Sequence, residues 1–313
     1  MAEHRIGREV RTHRRWDVDI EPVLVVAPGD VVTAETDDFA GGQITRSSTA
    51  ADLPTLDFDR IYPLAGPVYV EGAEVGDTLA IEILDFELPA WGWACIIPGF
   101  GLLPRGEFNE PAIRFFDLTE GDTTELCPGV RIPVEPFCGT MGVPGPGMRG
   151  VPIPPPHAGG GNIDCRHFTR GATLYLPVGA PGGLFSNGDA HAAQGDGEVA
   201  ISGIECAMAT TYRIDVLKDQ RIAAPQIRRP KGSLTPRVDG DGWYGTFGVE
   251  TDLMVASQAA VRAMIEHLGR ERGLSREDAY ILCALAGDLK ITEVVDAPMW
   301  MVGMFMPDAV FVS

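Results

Sequence analysis

With 313 residues, 45% hydrophobic and 22% charged, the chain has a globular composition able to bury a sizeable core, which excludes a disordered tail or a fibrous repeat. Its 44 acidic against 25 basic residues give a formal net charge of -19, which repels phosphate backbones and anionic lipid, so neither nucleic acid nor a membrane is an expected partner. The charged N-terminus lacks the apolar core of a secretory signal, no apolar run is long enough to cross a bilayer, and the six cysteines include no C-x-x-C pair; a cytoplasmic protein with reduced thiols is expected.

Glycines (38) and prolines (25) fall between short β-branched runs, which predicts a mainly β protein: a β-sandwich-like core of many short strands with a helical segment near the C-terminus. VLVVAPGDVVTAET (23–36) reads as strand, Pro-Gly-Asp turn, strand. In ETDDFAGGQI (35–44), Asp37 and Asp38 follow that strand and precede paired glycines, either as an Asx turn or as acids offered to a site. PVYVEGAEVGDTLAIEILDFEL (67–88) repeats the strand-turn-strand syntax, with Gly76 and Asp77 at the turn and Leu79, Ile81 and Ile83 alternating along the second strand. Trp91 and Trp93 in PAWGWACIIPGFG (89–101) either pack into the core or wall a small pocket.

Residues 141–161, MGVPGPGMRGVPIPPPHAGGG, are too rich in Pro and Gly for a helix or a central strand. They are expected to form a loop crossing an active site, where two β subregions of one 1–313 domain meet. TLYLPVGAPGGLFSNGD (173–189) reads as a hairpin closed around Gly-Ala-Pro-Gly-Gly. GEVAISGIEC (197–206) reads as the next strand, its period of two placing Val199, Ile201 and Glu205 on one face. Apolar spacing predicts a one-sided buried helix within 251–273, Ser275 with Asp278 caps a second helix running to about Ala286, and LKITEVVD closes as a strand.

The segment SNGDAHAAQGDGE (186–198) crowds acids, an amide and an imidazole between glycines. On extended chain, Asp189 and His191 share a face, so one cation could take a carboxylate oxygen and an imidazole nitrogen together. HAGGGNID (157–164) offers His157, Asn162 and Asp164 from the loop before the predicted hairpin, which could return them to the same mouth. The alternative is ordinary turn chemistry with a histidine of no special role. Carboxylates gathered beside Glu205 in a partly dry site need protons or a cation, and a His-plus-carboxylate shell suits zinc, with calcium as a possible occupant of a neighbouring all-carboxylate position. Gln194, with a donor and an acceptor on one amide, matches a substrate amide.

GGNID (160–164) and LPVGAPGGLFSNGDAHAAQGDGEVAISGIE (176–205) resemble the signature of the acetamidase/formamidase family, and TAETDDFAGGQI, YPLAGPVYVEGAEVGDTLAIEI and MFMPDAVF extend the resemblance along the chain. The approach PIPPPHAGGGNID is longer and more proline-rich than the family's usual form, which bears on His157. The resemblance implies a β-rich hydrolase of formamide-like and acetamide-like amides, with relatives acting on a bicyclic γ-lactam, and a divalent metal held by acids and histidine. By that resemblance Asp164, Asp189 and His191 are metal-ligand candidates, and Asp38, Glu71 and Glu205 sit in matching motifs as further carboxylates, Asp38 counted with the ligands; desolvation beside aliphatic residues suits Glu205 to carry a proton, with Glu71 competing, and Asn162, Gln194 and Trp93 are the substrate-binding candidates. A small amide and further copies of the chain, in a homo-oligomer, are the expected partners. Two rivals stand beside this reading: a cysteine-nucleophile amidase using Cys165 or Cys206, and a calcium-stabilised β-sandwich that binds without chemistry.

Overall fold

The computed structural model describes residues 1–10, 12–103, 106–218, 220–229 and 242–312. Two six-stranded sheets carry the body of the molecule. The first runs, in spatial order, Glu3–Ile6, Val31–Thr36, Met208–Leu217, Thr78–Glu87, Thr173–Pro177 and Gln226–Arg228. The second runs Gly160–Asn162, Phe137–Gly142, Phe185–His191, Leu64–Val70 and Thr12–His13, with Leu24–Val26 pairing in parallel on Leu64–Val70. Alternation sets the inner face of the first sheet, where Leu79, Ile81 and Ile83 are all buried as their period of two predicts. The sheets meet across side chains such as Phe185 and Tyr212, whose rings stand edge to face 5.1 Å apart, so the mainly β sandwich expected from composition is observed.

Three turns connect differently from the sequence expectation. Leu24–Val26 and Val31–Thr36 lie in opposite sheets, as do Leu64–Val70 and Thr78–Glu87, and as do Thr173–Pro177 and Phe185–His191. The Pro-Gly-Asp, Val-Gly-Asp and Gly-Ala-Pro-Gly-Gly segments are therefore arches between layers and not hairpins. Turn residues report local backbone geometry, such as Gly29 at φ 89° and Gly76 at φ 98°, and that geometry serves either connection; only the inter-strand hydrogen bonds decide which forms. The Pro-rich stretch 141–161 also departs from a plain loop, because Val151–Pro152 pairs with Arg15–Trp16 and Gly160–Asn162 forms an edge strand on Phe137–Gly142.

A third layer follows the sandwich. Helix α1 (Leu253–Arg272) starts at Asp252, whose side chain accepts from the Val255 N–H, and stops at Gly273, φ 67°. Helix α2 (Arg276–Ala286) starts at Ser275, which accepts from the Asp278 N–H at 3.0 Å as expected, while the Asp278 carboxylate takes the Ser275 hydroxyl at 2.8 Å in place of the backbone N–H of a full capping box. Both pack beside a three-stranded sheet of Trp243–Glu250, Trp300–Pro307 and Asp288–Glu293. One hydrophobic core runs from the sandwich through Leu103 and Val199 into Met264, Ile265 and Leu282. Among the described residues no helix is long and apolar enough to cross a membrane.

Candidate active site

Acids from three chain segments converge on one imidazole. His191 ends the strand Phe185–His191, every residue of which is buried. Its Nε2 lies 3.0 Å from Glu205 Oε1, 3.5 Å from Asp189 Oδ1 and 4.0 Å from Glu198 Oε1. Asp164 completes the group: its carboxylate, Asp189 and His191 offer atoms all within 4.8 Å of one another, and so do His191, Glu198 and Glu205. Among the described residues no lysine or arginine pairs with any of these four acids.

Backbone conformation, more than side-chain alternation, aims these groups. Asp164, Asp189 and Glu198 sit at φ 45°, 53° and 43°, in the left-handed region that L-residues avoid at a cost of order 1 kcal/mol or more each. Asp164 is held by its N–H to the Gly139 carbonyl at 3.1 Å. Gly139 is obligatory here, because a Cβ at that position would collide with both the Asp164 carboxylate and the imidazole edge. Gly203 closes the other side, where a Cβ would stand 2.8 Å from His191 Cγ.

Glu205 does not lie on the strand predicted for 197–206. That segment is a series of turns, with Ile201 at φ 85°, and Glu205 is fixed by isolated bridges: its N–H donates to the Trp93 carbonyl at 2.7 Å and its carbonyl accepts the Trp93 N–H at 3.0 Å. Val199 and Glu205 are both buried, but through turns and not a shared strand face. Glu198, which sequence reasoning did not single out, joins the group for the same reason: a regular strand would aim it away from Glu205, whereas its left-handed turn brings it back. Its one sequence signal was membership of the acid-rich 186–198 stretch.

The remaining candidates take supporting places. The Asn162 amide donates to the Asp164 carboxylate, and the Thr140 hydroxyl donates to Asn162 Oδ1 at 2.5 Å with Asp189 Oδ2 3.3 Å away. Gln194 Nε2 donates to the Asp164 carbonyl at 2.8 Å. Trp93, fully buried, donates Nε1–H to Asp38 Oδ2 at 3.0 Å, and Gly42 N–H binds Asp38 Oδ1 at 3.2 Å. Asp38 thereby stands behind the Glu205 backbone, outside the two acid groups around His191, and with Trp91 and Trp93 it lines a separate cavity of about 260 Å³. Glu71 is exposed in the turn after Leu64–Val70 and is not brought to the cluster. His157 packs edge-on against Trp16 at 5.3 Å and accepts the Gly159 N–H on Nδ1, also outside the acid groups.

Electrostatics follow from that crowding. Burial and the Asp189 charge push Asp164 up to about 7, and burial pushes Glu205 up to about 8 against the opposing pull of His191. Burial and Asp164 hold Glu198 well above the usual carboxylate range. Burial alone would lower His191, but Glu205 and Asp189 overcome it and keep the imidazole well above its ordinary value. At neutral pH the cluster therefore retains protons that the same residues would release in water. Tyr62, absent from the sequence candidates although it lies in the YPLAGPVY motif, has its phenol pushed up by burial and by the charges of all four acids. Asp164 Oδ1 and Glu205 Oε2 are buried without a hydrogen-bond partner.

Three other candidate nucleophiles are poorly served. Burial raises the thiols of Cys165 and Cys206, the opposite of what an attacking thiolate needs. Ser186 Oγ lies 2.8 Å from His13 Nε2, whose Nδ1 is 2.9 Å from the Arg15 carbonyl, a serine–base geometry, but Ser186 is wholly buried.

The β-sandwich brings together a buried imidazole and four acids, three of them on left-handed backbone, the kind of pKa-shifted cluster found at enzyme active sites. The model of the Acetamidase/Formamidase family matches residues 2–149 and 145–313, and the chain belongs to that family. A formamidase of Methylophilus methylotrophus is 27% identical over 364 residues, covering 96% of this chain and 89% of that protein. Among solved structures, a gamma lactamase from Delftia acidovorans matches with a TM-score of 0.90 at 26% identity, over 99% of this chain and 93% of that one. An acetamidase from Bacillus halodurans matches with a TM-score of 0.68 at 33% identity, over 96% of each chain.

Proposed function

We propose that this protein hydrolyses the C–N bond of short-chain amides of the formamide and acetamide class, releasing carboxylate and ammonia, with one divalent cation held by Asp164, Asp189 and His191 beside Glu198 and Glu205. The observation that carries this reading is a buried cluster of four acids around one imidazole, with Asp164 Oδ1 and Glu205 Oε2 unpartnered and no lysine or arginine paired with the acids among the described residues. Such a group is costly to bury without a counter-charge. Both acid groups include His191, so a nitrogen-accepting ion such as zinc fits better than calcium, which prefers six to eight oxygens, and a second all-carboxylate position is not favoured.

When bound, the ion would supply a water of pKa near 7 and polarise the amide carbonyl. The protein's own groups do the rest. Asn162 and Thr140 hold Asp164 and Asp189 in place, and Gln194 fixes the Asp164 backbone. Glu205, clamped at both backbone atoms by Trp93, presents Oε2 as the acid that delivers a proton to the departing nitrogen. Amine departure then leaves a carboxylate, and Glu205 recovers a proton from the attacking water.

The continuous core supports a single-domain chain. On the face of the three-stranded sheet turned away from α1, Trp243, Phe247 and Val249 are exposed, an apolar patch that supports self-association into a homo-oligomer. Net charge supports a soluble cytoplasmic protein without nucleic-acid partners. The test is ammonia release from formamide and acetamide before and after chelation. Release that chelation abolishes, zinc restores and thiol reagents spare is expected; release that persists after exhaustive chelation would remove the metal from the reading, and no release from any amide would remove the activity.

A further inference from the structure

Asp164 and Glu198 reach the imidazole from two different turns, one following Gly160–Asn162 and one following Phe185–His191, and both acids sit on left-handed backbone. Two acids carried by separate turns repel whenever both are ionised, so their convergence needs a restraint from outside the cluster. Asp196 supplies one. It lies two residues before Glu198, and its Oδ1 is 3.4 Å from Nε2 of His167, which lies three residues after Asp164. Asp196 Oδ2 accepts from Lys290 Nζ at 3.3 Å. Its N–H donates to Asp288 Oδ1 at 3.2 Å, and its carbonyl accepts the Leu289 N–H at 3.0 Å. Asp288 Oδ1 also accepts from Arg166 Nη1, at 2.5 Å, so one buried carboxylate oxygen holds the Asp164 turn and the Glu198 turn at once. Asp288 opens the strand that follows α2, and the Glu198 turn is pressed onto the same junction. There the Gly195 N–H donates to the Ala284 carbonyl at 2.7 Å, and a Cβ on Gly195 would stand 1.8 Å from the Gly287 carbonyl oxygen. None of Arg166, His167, Asp196, Asp288 and Lys290 belongs to either acid group around His191.

We propose that Asp196 is a positioning residue: it joins the Asp164 turn, through His167, to the Glu198 turn and ties both to the C-terminal layer, and so sets how closely the acids converge on a divalent cation. The inference rests on the metal reading above and deepens it, because it gives the helical layer, which places no residue in the cluster, a part in holding the ion. Each oxygen of the Asp196 carboxylate faces a different element, His167 on one turn and Lys290 on the strand after α2, so removing the side chain frees the two turns from each other while leaving the backbone contacts in place. A network that only stabilised the fold would lower the melting temperature and leave cation affinity, measured on the folded protein, unchanged. A network that spaces the two turns changes that affinity directly.

The measurement is the zinc affinity of the full chain by competitive chelation, with the melting temperature of the chelated protein recorded beside it. Asp196→Ala is expected to weaken zinc about tenfold and His167→Ala about fivefold, near the lower end of what removing an orienting partner costs a metal site. The double variant should match Asp196→Ala within about twofold, because His167 acts through Asp196. His167→Gln, which keeps a donor towards Asp196, should hold zinc within about twofold of wild type. Arg262→Ala removes the donor to Glu107 at 2.8 Å, outside both acid groups, and should lower the melting temperature without moving zinc affinity. Should Asp196→Ala not fold, His167→Ala against His167→Gln decides. Unchanged zinc affinity in the folded Asp196 and His167 variants, or an equal loss in Arg262→Ala, overturns the inference while leaving the metal reading intact. A wild type that takes up no zinc overturns the metal reading instead, and the role of Asp196 with it.

Discussion

Glu205→Gln should separate catalysis from stability with opposite signs. In the metal-free fold burial holds the Glu205 carboxyl at about 8 against an ordinary 4.5. At pH 7 the side chain is thus neutral in the folded protein and ionised in the unfolded one. Keeping that proton costs the fold roughly 3 kcal/mol, and above pH 8 the penalty approaches roughly 5 kcal/mol. Glutamine preserves the volume and an oxygen against His191 but cannot ionise, so the metal-free variant should be more stable than metal-free wild type by up to about 3 kcal/mol at pH 7, a Tm rise of about 5 °C for a chain of this length. Turnover should fall by about 10²–10⁴-fold, because the proton donor is gone. Thermal unfolding after chelation, followed by ammonia assays after metal is restored, reads both quantities. A metal-free variant that melts at or below wild type would refute the claim that Glu205 is held against its own ionisation, and near-normal turnover would refute its role as acid.

Asp189→Asn should lose bound metal and turnover together, measured by elemental analysis and ammonia release; full metal content would assign the ion to other residues. The metal-free protein should lose stability as pH rises from about 4.5 to 8, since Asp164 and Glu205 hold protons in the fold that the unfolded chain has already released; a melting temperature that climbs over that range contradicts the shifts at about 7 and about 8. Arg166→Met leaves the buried Asp288, to which Arg166 Nη1 donates at 2.5 Å, with only Lys290 Nζ at 3.5 Å as counter-charge, and should destabilise by about 2–4 kcal/mol; because the Asp288 carboxylate also accepts the Asp196 N–H at 3.2 Å, loosening the loop before Glu198, metal affinity should fall as well, checked by unfolding and competitive chelation. Trp93→Phe removes the donor to Asp38 Oδ2 and should cost about 1–3 kcal/mol, read by denaturant unfolding; an unchanged midpoint would mean water replaces the indole N–H at no cost.

The strands, the two capped helices and the buried alternation at Leu79, Ile81 and Ile83 were legible because each depends on neighbours within a few residues. Layer assignment was not, since the arches at 27–30, 71–77 and 179–184 use residues that equally make hairpins. The same limit explains the site. Asp164, Asp189, His191 and Glu205 were found from composition and resemblance, but Glu198 was lost to a strand reading that three left-handed turns overturn, and Tyr62 gave no local sign of standing over the acids. Asn162 and Gln194 read as substrate-binding amides in sequence, and in space both hold Asp164.

Asp164, Asp189 and Glu198 occupy backbone positions where glycine or asparagine would be at ease. The acids at these positions set their carboxylates at angles a regular strand could not reach, so glycine at any of them would relax the main chain while taking a carboxylate out of the cluster.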